Sequence, residues 1–268
     1  MTIYLGQISR MIGLWSTPSA QVQTEDFYSF QTTVEGVRRA QRKPTSPRTW
    51  SVSAGYSTPA DTAVLDDFVS GAWGPGPFIF VSADAPVTNM LTPGEATCDP
   101  AAGVQPSDIA AGPMLTPDGW APRSLRPTGS SNEVWFGMGN VPVIDREPIT
   151  VSAYVRGAGA AVRVVWYDAN GGGLGGNTST VTATAGTTVR SWLTVTPPAN
   201  AASLRVRAVN VAQGTRPAVT RGTHLYPWAD GRGCAKAIVH AASREALLAG
   251  QGLGRQFENN SYTVTEVG

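Results

Sequence analysis

Apolar and polar residues alternate along most of this chain, in short runs. Ile3–Leu5, Arg10–Trp15, Tyr28–Thr33, Val37–Arg42 and Thr49–Ala54 each read as a half-buried strand, because successive side chains on a strand point to opposite faces. Glu35-Gly36 separates two of these runs and predicts a hairpin turn. The period changes after Thr58. Ala63, Val64, Leu65, Phe68 and Val69 recur at helical spacing, with Thr58 as N-cap, Pro59 at the first position and Asp61 in the first turn. Gly71 and the run Gly74–Pro77 end that helix, and Phe78–Val81 is a short buried strand.

The texture changes near Pro93. Residues 93–120 are rich in Pro, Gly and Ala and read as a linker or irregular lead-in. Regular strands come next: Glu133–Met138, Ile149–Arg156, Val162–Tyr167, Ser179–Thr184, Val189–Thr196, Leu204–Asn210 and Gly222–Trp228. Their short spacing predicts an antiparallel sandwich. At the end, Lys236–His240 reads as a strand, Ala241–Ala249 as a short helix and Tyr262–Val267 as a closing strand. That tail cannot bury enough surface to fold alone. The expected fold is therefore mainly β. A discontinuous α+β domain with one main helix, residues 1–93 and 234–268, is interrupted by an inserted antiparallel β-sandwich, 94–233. Cys98 and Cys234 stand at the two ends of the insert and are expected near the hinge, unbridged.

Composition narrows the function. Of 268 residues only 15% are charged, the net charge is +1, and Gly (30) and Pro (20) are abundant. Nothing here demands nucleic acid or an anionic membrane. The start of the chain lacks a secretory pattern, and no run approaches the roughly 18 apolar residues of a membrane span. Synthesis and assembly in the cytoplasm are expected. The basic residues are nearly all Arg, which suits bidentate interface pairs; a GC-rich coding sequence explains the same bias.

Gly171, Gly173 and Gly176 formally match G-x-G-x-x-G after an apolar run. A dinucleotide loop needs a helix next, whose N-terminus meets the pyrophosphate. The next residues, Asn177–Thr184, are instead rich in Thr and Val, so strand, turn and strand is the expected arrangement. No G-x-S-x-G elbow occurs. Asp66 and Asp67 are neighbours on a helix and do not face one another. The carboxylates are too scattered to nominate a glycosidase pair. No catalytic residue, cofactor or metal site is expected, and the protein reads as a non-enzyme.

Two groups of binding candidates remain. Trp166, Tyr167, Asp168, Trp192, Tyr226 and Trp228 offer the aromatic faces and polar atoms a saccharide site uses. Trp166 and Tyr167 point to opposite faces of a strand, so one of them belongs to the core. Trp135 and Trp192, flanked by Val and Leu, read as core. Arg38, Arg39, Arg42, Lys43 and Arg48 are unrelieved by any acid. They mark either a contact with an acidic neighbouring subunit or a solvated hairpin tip. DNA contact is disfavoured, because a channel that passes DNA should not grip phosphate.

The run TWSVSAGYSTPADTAVLDDFVSGAWGPGPFIFVSADAPVTNML together with the terminal SYTVTEVG resembles the distal tail proteins of long-tailed bacteriophages, particularly those of actinobacterial hosts. A Trp-bearing strand precedes a helix, a Pro-Phe-x-Phe strand, an Asn-x-Leu-x-Pro exit and a C-terminal Glu-Val-Gly. The segments YVRG, VVWYDANGG and VTPPANAASLRV resemble a galactose-binding-like sandwich of the kind found in carbohydrate-binding modules. The resemblance implies that the discontinuous domain is a ring-forming or belt domain. Six copies would join the tail tube to the tail-tip hub in the virion, with the sandwich projecting outward to dock tail components or a host-surface glycan. Two alternatives are a carbohydrate-binding host-adhesion protein and a sugar-binding accessory module of a glycan-degrading system.

Overall fold

The computed structural model describes residues 2–15, 21–24, 28–42, 47–100, 108–127, 132–137, 139–249 and 256–267. In chain order the first strands are β1 (Thr2–Gln7), β2 (Arg10–Trp15), β3 (Gln21–Thr24), β4 (Tyr28–Thr32), β5 (Arg38–Arg42) and β6 (Arg48–Ser57). Helix α1 (Pro59–Ser70), β7 (Phe78–Val81) and the short helices α2 (Ala85–Thr88) and α3 (Pro93–Ala96) follow. Next come β8 (Asp108–Ala111), β9 (Met114–Thr116), β10 (Gly119–Ala121), β11 (Ser124–Pro127), β12 (Glu133–Trp135), β13 (Val141–Pro142), β14 (Ile149–Arg156) and β15 (Ala161–Tyr167). The chain closes with β16 (Gly173–Thr178), β17 (Thr188–Val195), β18 (Ser203–Val209), β19 (Gln213–Arg221), β20 (Gly233–Ala249) and β21 (Gln256–Glu266). The fold is mainly β with one main helix. Contacts divide it into two compact units, residues 1–5, 13–80 and 236–268, and residues 6–12 and 81–235.

The first unit is built on a seven-stranded sheet in the order β2-β1-β7-β20-β21-β6-β3. Helix α1 begins as its sequence dictates. Thr58 and Asp61 form a reciprocal capping box, Pro59 opens the first turn, and Gly71 closes the helix in the left-handed region at φ 81°. Its inward face is Thr62, Leu65 and Phe68, all buried. Val64 is only half-buried. Phe68 meets Phe78 edge to face at 4.9 Å and Trp73 at 4.7 Å. Asn260 on β21 donates to Thr62 Oγ1 at 2.8 Å. Trp50 and Phe80, both buried, pack with ring centroids 4.9 Å apart. Along β6 the burial alternates as far as Ala54; there the register with β21 shifts, and Tyr56 takes a positive φ of 57° that leaves it exposed and turns Ser57 inward.

The short helix expected over Ala241–Ala249 is not formed. These residues continue β20, paired with β21 from Ala237↔Glu266 to Ala249↔Gln256. Their helix propensity is good, but pairing with β21 overrides it. Register shifts between His240 and Ser243 and between Ala246 and Leu248, and a positive φ of 54° at Ala241, absorb the extra residues.

In the second unit two antiparallel sheets form a sandwich. One runs β17-β14-β19-β11-β8; the other runs β12-β18-β15-β16, with β13 also on β18. Val151, Ala153 and Val155 of β14 and Val162, Val164, Trp166, Leu204, Val206 and Ala208 of β15 and β18 supply the interior. Ser191 Oγ bridges the layers: it accepts from the Val162 N–H at 2.9 Å and donates to Val181 O at 2.7 Å.

Several expectations change here. Residues 81–93 belong to the second unit, because Asn89 and Met90 bond to β19. The Asn89 carboxamide is fully buried. It donates to Pro217 O and Ala229 O, each at 3.1 Å, and accepts from the N–H groups of Leu91 (3.2 Å) and Val219 (3.0 Å). The entry and exit of this unit run side by side: Arg232 N–H donates to Asn89 O and Gly233 N–H to Leu91 O, each at 2.9 Å. A side chain at Gly233 would meet Met90 O at 2.0 Å. The supposed linker holds structure as well. Thr92 and Glu95 form a second capping box at α3, and β8 to β11 follow. Residues 179–184 and 222–228 are not strands; β16 ends at Thr178 and β19 supplies the missing strand. Pro217 sits at an irregularity in β19, where pairing with β14 shifts between Ser152 and Tyr154, as suits a residue without an N–H. Cys98 and Cys234 are both buried and form no disulfide. Among the described residues no helix is long and apolar enough to cross a membrane.

Phe68→Ala should destabilise the first unit by about 3–5 kcal/mol, since a buried ring leaves a cavity; a denaturant midpoint equal to wild type would contradict this packing. Asn89→Ala orphans the buried N–H groups of Leu91 and Val219 and takes one donor each from Pro217 O and Ala229 O. A loss on the order of 3 kcal/mol or more is expected in the unfolding of the second unit, read by hydrogen exchange at Leu91 and Val219.

Candidate functional site

The register of β14 decides which side chains share a face. Ser152 lies opposite Trp192 of β17 and Ala218 of β19; Tyr154 lies opposite Arg190 and Thr215; Arg156 lies opposite Thr188 and Gln213. Directly paired residues point the same way. Ser152, Tyr154 and Arg156 therefore share with Trp192 and Arg190 the face of the sheet turned away from the sandwich interior. Trp192 is 38% exposed on that face. The expectation that it is core fails, because its Val and Leu neighbours flank it on the opposite face.

Arginines fix the surroundings. Arg190 donates to Ser152 Oγ at 3.1 Å and to Tyr226 O at 2.6 Å. The Tyr226 ring, half-buried, meets His224 edge to face at 4.5 Å. Arg216, in the irregular stretch of β19 at φ 49°, lies over the Trp228 ring at 4.9 Å. Trp228 Nε1 donates to Pro217 O at 3.3 Å. The segment after β19 is thereby held to this sheet at Tyr226 and Trp228. Tyr154 donates its hydroxyl to Asp118 in the β9–β10 turn. Burial first, and then the Asp118 carboxylate, push this phenol up to about 12.

The other three saccharide candidates lie on the second sheet. Trp166 is interior, 1% exposed, with Nε1 donating to Asn177 Oδ1 at 2.8 Å. Tyr167 faces outward under the Arg205 guanidinium at 5.0 Å. Trp135, expected in the core, is half-buried beneath Arg207 at 5.2 Å. Burial holds the Arg207 pKa below its ordinary value against the pull of Glu133. Asp168 is a turn residue whose Oδ1 accepts from Asn170 N–H (2.9 Å) and Gly172 N–H (2.7 Å). The glycine pattern is thereby explained. Residues 168–172 turn, Gly171 takes φ 83°, and β16 follows instead of a helix.

Of the basic group, Arg38 and Arg39 are exposed on the β4–β5 hairpin, Arg42 ends β5, and Lys43 lies outside the described residues. Arg48 is taken up internally: its Nε and Nη2 meet Glu266 Oε2 and Oε1 at 2.9 and 3.0 Å, tying β6 to β21. Asp66 is paired with Arg244. His240 Nε2 lies 2.9 Å from Thr265 Oγ1. Among the described residues no group of three or more His, Cys, Asp or Glu is placed to hold a metal. Sequence reasoning missed Arg190, Tyr154 and Trp120; the last stood in the apparent linker, with only Pro117-Asp118-Gly119 before it as a hairpin signal.

No family model and no curated protein matches the chain. Among solved structures it is similar to an arabinose-bound GH51 α-L-arabinofuranosidase, at 17% identity over 53% of this chain and 28% of that one, with a TM-score of 0.36. It is also similar to a structure of the infectious bursal disease virus Gx strain, at 10% identity over 99% of this chain and 56% of that one, with a TM-score of 0.26. The chain spans less than two thirds of either.

Tyr154→Phe removes the donor that holds the β9–β10 turn. The raised phenol pKa makes this contribution complete below about pH 10, the ordinary tyrosine value, and lost as pH rises through about 12. An ultraviolet titration should lose one high-pH tyrosinate step in the variant, and amide exchange at Gly119 should quicken. An unchanged titration would contradict the assignment.

Proposed function

We propose that this chain is a structural subunit of a phage tail tip, a distal tail ring protein that works by self-association and docking and catalyses no reaction. Its partners are further copies of itself, the tail tube protein and the tail-tip hub. The observation that carries the reading is the β4–β5 hairpin. It pairs from Tyr28↔Arg42 to Thr32↔Arg38 and joins no other strand among the described residues. The turn closes through Gly36 at φ 78°, with Thr33 N–H donating to Val37 O at 2.9 Å. Phe30, Val34 and Val37 are exposed at 54%, 108% and 51%, and Arg38 lies over Phe30 at 4.4 Å. A two-stranded ribbon is marginal in water by itself, and burying these side chains against a neighbouring copy removes apolar surface from solvent. The resemblance carried by residues 49–91 and 261–268 supports the same reading.

A second reading, a carbohydrate-binding adhesion protein, is favoured by Trp192 standing exposed beside Ser152 and Arg190. Electron microscopy and light scattering of the purified full chain separate the two. A closed ring is expected, lost on Phe30→Ser with Arg38→Glu while the melting curve is unchanged, because both residues are exposed. A monomer at every concentration would overturn the ring reading.

A further inference from the structure

The β9–β10 hairpin of the second unit is fixed on one side and bare on the other. Met114, Thr116 and Ala121 are buried. Their alternates Leu115 and Trp120 are direct cross-strand partners and stand 58% and 65% exposed. Exposure here does not come from a loose loop. Asp118 accepts from Tyr154, Thr116 Oγ1 donates to Gly119 O at 2.8 Å, and Arg216 donates to Thr116 Oγ1 at 3.3 Å and to Trp120 O at 3.0 Å. An indole on a tethered hairpin loses little freedom when a ligand covers it.

Trp120 and Leu115 line a groove of about 540 Å³ that also takes in Arg156, Thr188 and Gln213. These three come from adjacent strands in one register row. Gln213 Nε2 donates to Ser124 Oγ at 2.6 Å, which aims one end of the amide inward. Arg190 and Arg216 are occupied as described above. The Arg156 guanidinium makes no hydrogen bond or ion pair among the described residues, and no carboxylate lines the groove. An aromatic platform, two hydroxyl- or amide-bearing side chains and an uncompensated guanidinium are the complement of a sugar ring bearing an acid.

We propose that this groove binds a pyranose carrying a carboxylate. The apolar face of the sugar stacks on Trp120, the carboxylate pairs with Arg156, and Thr188 and Gln213 take ring hydroxyls. The inference deepens the adhesion reading and is independent of ring assembly, since none of these residues lies in the β4–β5 hairpin. Titration calorimetry on the full chain tests it, with tetragalacturonate and a hyaluronan tetrasaccharide as acidic probes and fully methyl-esterified tetragalacturonate as the uncharged control. At least one acidic probe should bind. Its affinity should fall at least tenfold with Trp120→Ala and with Arg156→Gln, and should weaken as salt rises. The ester should bind at least tenfold more weakly than its acid. Thermal melting and ring formation should be unchanged in both variants, because both side chains are exposed. Failure of both acidic probes to bind, equal affinity for the ester, or indifference to both substitutions would each overturn the proposal. Loss of the ring with these affinities intact would overturn the ring reading alone.

Discussion

The seven-stranded sheet exists only because the end of the chain returns to its beginning. β20 and β21 lie between β7 and β6. Without them the inner backbone groups of β6 and β7 would face no partner, and helix α1 would have no complete surface to cover. Arg48 and Glu266, hydrogen-bonded across 218 positions of sequence, secure that return in a half-buried bidentate pair. Whatever lies between β7 and β20 must leave and come back without disturbing the ladder. The hydrogen bonds that set Asn89–Leu91 against Arg232–Gly233 meet that requirement.

In the second unit β19 has the comparable position. It is central in its sheet, yet it carries a proline and an arginine at positive φ. The irregularity frees Pro217 O to accept from Asn89 and Trp228, and sends Arg216 to the β9–β10 hairpin and the Trp228 ring. One departure from regular pairing thereby fixes the entry segment, the hairpin and the segment after β19. The exposed aromatic residues of this sheet stand on a frame that these hydrogen bonds hold in place.

Arginine recurs in these contacts for a physical reason. Arg38, Arg48, Arg205, Arg207 and Arg216 each lie over an aromatic ring. A planar, weakly hydrated cation can stack on a ring and still donate along its edge. A chain with few charged residues uses them to order its surface layer, and those left uncommitted, such as Arg156, stand out.

Local chemistry made some of this legible in the sequence. Thr58-Pro59 with Asp61 and Gly71 bounded the helix, Glu35-Gly36 marked the hairpin, and alternation in β14, β15 and β18 gave the sandwich, because caps, turns and pleats depend on neighbours a few residues away. Tertiary structure alone decided the rest. Residues 241–249 have helical propensity but are strand, since the open edge of β21 offers a full ladder of hydrogen bonds. Trp166 and Trp192 sit in equally apolar contexts, yet one is core and the other exposed, because register with a distant strand sets which face is inward. Arg48 belonged by sequence to a basic run, and only the arrival of Glu266 from the far end of the chain made it a clasp.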